Sequence, residues 1–340
     1  MSSFTRVADA NPHGFSLQQT MLRIKDPKKS IDFYKKNFGF TLIHSYDFPQ
    51  WTFALHFLAI LPDGMSNPVP GTKESEEFLW NLPMGVSTLE LTHNYGSEND
   101  DTFQVNNGNV EPARGFGHIA VMTPDVYAAS DELDKLGVRF QKKPDEGRMK
   151  GIAFALDPDN YWIEIVSRGT SSPVTSKYSL AQTMMRVKDP KASLDFFCNK
   201  LKMSLLRESH YSDFSLYFLA SLPSGTELPD KDSPEASEYI KNIYPQVLEL
   251  THNHGTENNE DFSYHNGNDQ DGKWQGVCRG FGHIGYLVDD LEKACDELEQ
   301  QGVLFKKRPS EGTMRGLAFA YSPIDNYWIE IIQRKGLKMI

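Results

Sequence analysis

One string of motifs occurs twice in this 340-residue chain, in the same order. "QTMLRIKDPKKSIDFY" (19–34) returns as "QTMMRVKDPKASLDFF" (182–197), and "LELTHN" (89–94) returns at 248–253. "RGFGHI" (114–119) returns at 279–284, and "NYWIEI" (160–165) at 326–331. The offset drifts only between 159 and 166, so the chain is a tandem duplication whose loops have changed length while the motifs have not. Each copy is long enough to bury its own core. The join "RGTSSPVTSKYS" (168–179) has the Ser, Thr and Pro content of a linker. The expected organisation is an N-terminal tail (1–15), a first domain (16–168), a linker (169–178) and a second domain (179–340).

Each half divides again. After the strand-like "QTMLRI", Asp26 and Pro27 read as the N-cap and first residue of a helix. Ile31, Tyr34 and Phe38 mark its apolar face, and Gly39 ends it. Three strand-like runs follow: "FTLIHSYDF", "WTFALHFLAIL" and "STLELTH". The next unit repeats the plan. "GHIAVMT" is a strand, a helix follows with Val126, Ala129, Leu133 and Leu136 inward, and three strands end in "YWIEIVS". The pattern predicts an α+β fold of four βαβββ modules in tandem. The polar stretches 62–80, 97–113, 223–240 and 255–278 are too long for hairpin turns and are expected to be lids or arms.

Strand parity selects the polar residues that share a face. Gln19 lies with Met21 and Arg23, Glu90 with Thr92 and Asn94, His118 with Ala120 and Met122, and Glu164 with Trp162. The second copy supplies Gln182, Glu249, His283 and Glu330. A lone glutamate on an alternating strand usually faces water, and a lone strand histidine is more often a core residue than a ligand. Four such residues kept in order in both copies, between loops that diverged, point instead to a divalent metal held by oxygen and nitrogen. His93 and His252 fall on the opposite face and read as packing residues. His13, His44, His56, His210, His254 and His265 have no counterpart in the other copy and read as loop or packing residues too.

Composition narrows the partners. The three cysteines (Cys198, Cys278, Cys295) form no C-x-x-C, which argues against a disulfide framework or a thiolate zinc site and fits a reducing cytoplasm. A net charge of −11 argues against nucleic acid. No apolar run reaches membrane-spanning length, and the N-terminus lacks the apolar core of a signal peptide.

The strings "QQTMLRIKDPKKSIDFY", "LELTHN", "RGFGHI", "GRMKGIAF" and "NYWIEI" resemble the glyoxalase I (lactoylglutathione lyase) family of the vicinal oxygen chelate superfamily, from about Leu17 to Ile332. The double length resembles its fused, monomeric two-domain form. The resemblance implies four modules paired into two half-open barrels. It also implies metal sites that cross between the halves: Gln19, Glu90, His283 and Glu330 in one, and Gln182, Glu249, His118 and Glu164 in the other. Sequence alone leaves pairing within each half open. Glutamine as the first ligand, where nickel-type members carry histidine, implies Zn²⁺, with Ni²⁺, Co²⁺, Mn²⁺ and Mg²⁺ as alternatives.

The implied substrate is the hemithioacetal of methylglyoxal and glutathione, the latter as co-substrate, and the product is S-lactoylglutathione. Glu330 and Glu164 would be the principal bases; Glu90 and Glu249 would be ligands that also serve the opposite stereoisomer. The carboxylates of glutathione would meet Arg23, Asn94, Arg279 and Lys307 at one site, and Arg186, Asn253, Arg114 and Lys142 at the other. Loops carrying Arg148 and Met149 in one copy, and Met314 in the other, would cover the adduct. Thr313 replaces Arg148 in the second copy, which would make the sites unequal. Trp162 and Trp328 share the site face and would wall the methyl end. Two rivals remain on the same scaffold: an iron dioxygenase and a metal-free binding module. The dioxygenase would want a second histidine where Gln19 stands; the binding module has no use for the repeated ligand set.

Overall fold

Four helices begin on the same residue type at the same place, and this fixes the frame of the molecule. Asp26, Asp125, Asp189 and Asp290 each sit in extended backbone and accept hydrogen bonds from the first-turn amides of the helix that follows. The computed structural model describes residues 4–8, 10–335 and 338–339.

The first module comprises β1 (Ser16–Ile24), α1 (Pro27–Phe38), β2 (Thr41–Phe48), β3 (Phe53–Ala59), a short added helix α2 (Lys73–Leu79) and β4 (Thr88–Asn94). The second comprises β5 (Phe116–Thr123), α3 (Val126–Lys135), β6 (Arg139–Lys142), β7 (Ala153–Leu156) and β8 (Trp162–Ser167). The third has β9 (Ser179–Arg186), α4 (Pro190–Leu194) running into a π-helical turn (Asp195–Lys200), β10 (Ser204–His210), β11 (Phe214–Ala220), the added helix α5 (Pro234–Asn242) and β12 (Val247–Asn253). The fourth has β13 (Phe281–Val288), α6 (Leu291–Gln300), β14 (Phe305–Lys307), the short β15 (Met314–Arg315), β16 (Leu317–Tyr321) and β17 (Trp328–Gln333). A final strand, β18 (Lys338–Met339), pairs with β15. The βαβββ plan therefore holds four times.

Leu136 departs from the expected pattern. It is 43% exposed, because α3 ends at Lys135 and Leu136 already belongs to the turn completed by Gly137 at φ 80°. Val126, Ala129 and Leu133 are buried as the helical spacing requires.

The sheets do not follow the halves. One runs β14-β16-β17-β13-β1-β4-β3-β2, joining the first module to the fourth, and the other runs β10-β11-β12-β9-β5-β8-β7-β6, joining the second to the third. Neither closes, so each is a half-open, mixed sheet. The halves meet across antiparallel β1–β13 and β9–β5 pairs, and one large apolar core contains residues of both. Counterpart residues touch at the centre. Phe116 stacks on Phe281 with ring centroids 5.0 Å apart, and the Thr20 and Thr183 hydroxyls are hydrogen bonded at 2.5 Å. Equivalent residues meeting each other are the mark of a two-fold relation between the copies.

The polar stretches 97–113 and 255–278 are arms. The Asn106 amide donates to the Arg279 carbonyl at 3.1 Å, and the His265 amide to the Arg114 carbonyl at 2.7 Å, so each arm reaches across to the other half. The segment before β1 also packs on the second half. Arg6 accepts from the Leu205 amide and donates to the Leu205 carbonyl, along the edge strand β10.

Candidate metal centre

Four adjacent strands at the middle of the first sheet, β17, β13, β1 and β4, each send one polar side chain to the same point. The register brings this about: Met21 lies opposite both Glu90 and His283, and Gly285 opposite both Gln19 and Glu330. A Cβ at Gly285 would stand 2.5 Å from Cγ of Gln19, so the glutamine packs directly on its backbone, whereas the second sheet carries Ala120 at the matching place, opposite Gln182 and Glu164. Gln19 Nε2 donates to Oε2 of Glu90 at 2.6 Å and to Oε2 of Glu330 at 2.7 Å. His283 Nε2 lies 3.2 Å from Glu90 and 3.0 Å from Glu330. All four side chains are buried.

The second sheet repeats the cluster more loosely. Gln182 Nε2 donates to Glu249 at 3.0 Å and to Glu164 at 3.2 Å, while His118 Nε2 lies 3.3 Å from Glu164 and 3.9 Å from Glu249. Both clusters draw Gln and the "LEL" glutamate from one half, and His and the "YWIE" glutamate from the other.

Two carboxylates buried against one imidazole carry excess negative charge in a place that disfavours charge. Burial pushes Glu249 up to about 7, helped by the neighbouring Glu164 and opposed by His118. Glu330 is raised for the same reason, with His283 opposing. Burial acts against a charge on His283, yet Glu330 and Glu90 together push it up to about 9. His118 also moves upward against its burial, through Glu164 and Glu249. Among the described residues Gln19 Oε1 finds no hydrogen-bond partner, and His118 Nε2 lies beside Glu164 and Glu249 without a well-aligned hydrogen bond to either. A half-turn of the glutamine amide exchanges its nitrogen for its oxygen. Each cluster thus offers two carboxylates, an imidazole nitrogen and an amide oxygen, a donor set that fits a divalent cation.

A cavity of about 290 Å³ opens onto the first cluster, and Arg23, Asn94, Arg279, Met314 and Trp328 stand on its wall. Arg279 is exposed. Arg23 is committed elsewhere: it donates to the Gly280 and Phe281 carbonyls and to Asn268 Oδ1. Arg186 is tied likewise to the carbonyls of Gly108, Gly115 and Phe116 and to Asn109 Oδ1. Asn253 donates to the Tyr264 hydroxyl at 2.6 Å, and Arg114 pairs with Glu111 at 3.2 Å. Lys307 and Lys142 donate to the carbonyls of Leu317 and Ile152, at 2.8 and 2.6 Å, at the roots of the 311–316 and 146–151 loops. Arg148 and Met149 are exposed. His93 and His252 point away from the clusters, as their parity requires, and pair with Glu98 and Glu257 at 2.7 and 2.8 Å.

Sequence reasoning passed over Asn109 and Asn268, whose side chains hold the two arginines. The signal was present, because "NGN" occurs at 107–109 and again at 266–268. It also passed over Trp80, a buried wall of the first cavity with no counterpart in the repeat.

A family model described as Glyoxalase/Bleomycin resistance protein/Dioxygenase superfamily matches residues 16–165 and again 179–331. The chain belongs to this superfamily. It is 40% identical to a lactoylglutathione lyase of Schizosaccharomyces pombe, covering 94% of this chain and 97% of that one. It is 39% identical to a glyoxalase I of Saccharomyces cerevisiae, covering 93% and 91%. Among solved structures, glyoxalase I from Zea mays superposes with a TM-score of 0.63 at 22% identity, over 94% of this chain and 92% of that one, which shows the shared fold.

Proposed function

We propose that this superfamily member is a lactoylglutathione lyase with two metal sites, each built from both halves. The observation that carries this is the fourfold convergence of Gln, Glu, His and Glu, found twice, in a chain so similar along its length to lactoylglutathione lyases. The substrate is the hemithioacetal of glutathione and methylglyoxal, and the reaction moves one proton between neighbouring carbons.

Gln19, Glu90, His283 and Glu330 would hold one divalent cation, and Gln182, Glu249, His118 and Glu164 the other. When bound, such a cation supplies Lewis-acid stabilisation of the negative charge that develops on two vicinal oxygens. The protein residues do the rest. Glu330, or Glu164 at the second site, takes the proton from the carbon bearing sulfur and returns it to the adjacent carbon, while the hydroxyl proton passes from the first oxygen to its neighbour, leaving a thioester and a new hydroxyl. Glu90 and Glu249 face the same point and serve the opposite stereoisomer. Arg279 and Asn94 at the mouth of the first cavity receive the glutathione carboxylates, and Arg114 and Asn253 are the matching pair; Arg23 and Arg186 lie behind them, keep their seam carbonyls and asparagines, and add positive charge. Lys307 and Lys142 hold the covering loops, which carry Arg148, Met149 and Met314. Zn²⁺ is the favoured ion because glutamine is the first ligand, and the fused chain acts as a cytoplasmic monomer.

The deciding experiment is to mix the protein with methylglyoxal and glutathione and follow thioester absorbance. Formation of S-lactoylglutathione, abolished by a chelator and restored by a divalent metal, is the expected outcome. No thioester with the metal-loaded protein would overturn the reading.

A further inference from the structure

The two sites share their polar residues and most of their apolar lining, but not the residue that closes it. In the first, Trp80 closes the cavity. Its ring is 1% exposed, stands edge-on to Phe57 at 5.4 Å, and donates from Nε1 to the Tyr46 hydroxyl at 2.7 Å. Tyr46 stacks on Trp80 and donates in turn to Glu76 at 2.7 Å, so the indole is fixed from two sides. Phe57, which lies opposite Glu90 in the sheet, is only 1% exposed beneath it.

The repeat lacks this pillar. Aligned on the helix preceding "LELTHN", Trp80 corresponds to Lys241, and aligned on the strand register, Tyr46 corresponds to Ser209. The segment joining that helix to the ligand strand is two residues shorter, since Asn81 to Glu90 spans nine positions and Asn242 to Glu249 spans seven. Phe218, the counterpart of Phe57 and the residue opposite Glu249, is half-buried. The covering loops differ in the same sense. Met314 is half-buried on β15, which is paired to β18, whereas its counterpart Met149 is 53% exposed.

We propose that the two sites divide substrates by the bulk of the aldehyde. The first, closed by Trp80 and Phe57, selects hemithioacetals of α-oxoaldehydes carrying an aryl or other bulky apolar group. The second, whose walls stay open to water, gains little from such a group. Apolar surface removed from water supplies the discrimination, and the ring of an aryl group adds enough area for a difference on the order of tenfold or more. This inference rests on the lyase reading above.

Two single-site enzymes test it. Glu164→Gln with Glu249→Gln leaves the first site, and Glu90→Gln with Glu330→Gln leaves the second. The ratio of kcat/KM for the phenylglyoxal adduct to that for the methylglyoxal adduct is expected to be at least about tenfold higher at the first site. Adding Trp80→Lys to the first-site enzyme should lower that ratio about tenfold, mainly through KM, and Trp80→Phe should retain most of it. Calorimetric titration of the wild-type protein covers the case in which these variants fold poorly. S-benzylglutathione should show two classes of site about tenfold apart, and S-methylglutathione a single class. Equal ratios in the two single-site enzymes, or one class of site for the benzyl probe, would overturn the division of substrates while leaving the lyase reading intact. Turnover of neither adduct by wild-type protein would instead remove the lyase reading, and the calorimetric arm would still decide whether the sites differ.

Discussion

A carboxylate removed from water keeps its charge only where a cation or several donors face it, and this governs what single residues do here. Glu90 has Gln19, His283 and the Thr92 hydroxyl around it; Glu249 has Gln182 and His118. Changing Glu90 and Glu249 together to Gln removes one carboxylate from each cluster while keeping its shape. Activity is expected to fall at least about a hundredfold, and each single change should leave one working site and roughly half the metal content. His93→Gln is the control on the same strand. It loses a pair with Glu98 on the far face, so it should lower thermal stability slightly and leave kcat near the wild-type value. Full activity in the double Glu variant would reverse the assignment. Much of this was legible in the sequence, because a strand's two-residue period separates Glu90 from His93 without any structure. The true employment of Arg23 and Arg186 was not. Parity put both on the site face, but a guanidinium carries five donors, and in each arginine Nη1 faces carbonyls across the half-to-half seam and Nη2 an asparagine, where no one-dimensional pattern reaches.

At the scale of elements, the repeated "RGFGHI" is a packing device as well as the carrier of a histidine. The arm of one half passes directly over the glycine just before the other half's central strand. A Cβ on Gly280 would lie 1.8 Å from the Asn106 carbonyl oxygen, and one on Gly115 would lie 1.9 Å from that of His265. Gly280→Ala should therefore push the arm off the seam, costing at least about 1–3 kcal/mol and lowering Tm by several degrees. Because Arg23 donates to the Gly280 carbonyl and His283 lies three residues further on, the first site should lose activity more than the second. Gly115→Ala should reverse that preference. Comparing the two variants in backgrounds with a single working site checks both claims. The element plan itself was readable, since aspartate caps, helical spacing and alternation agree with one another in all four modules. Leu136 shows the limit: helical spacing continued one residue past the last turn, and the chain bent there instead.

The molecule as a whole is a dimer drawn in one chain. Each sheet takes one module from each half, and neither ligand cluster is complete in either half alone. The sequence could establish that there were two copies but not which partner each module chose, because pairing within a half and pairing across halves use the same strands and the same alternation. The crossed arrangement has a consequence for assembly. Residues 1–168 and 179–340, produced as separate chains, should each lack both sites and bind divalent metal weakly. Mixed, they should recover two metals per pair and catalytic activity, with a steep dependence on protein concentration that the intact chain does not show. The linker's contribution is effective concentration, on the order of millimolar for a short flexible connection, so dilution to nanomolar levels should inactivate the mixture and spare the parent. Metal analysis and the thioester assay over a dilution series make the comparison. Metal-dependent activity in an isolated, monomeric half would mean that a site can be assembled without the crossing.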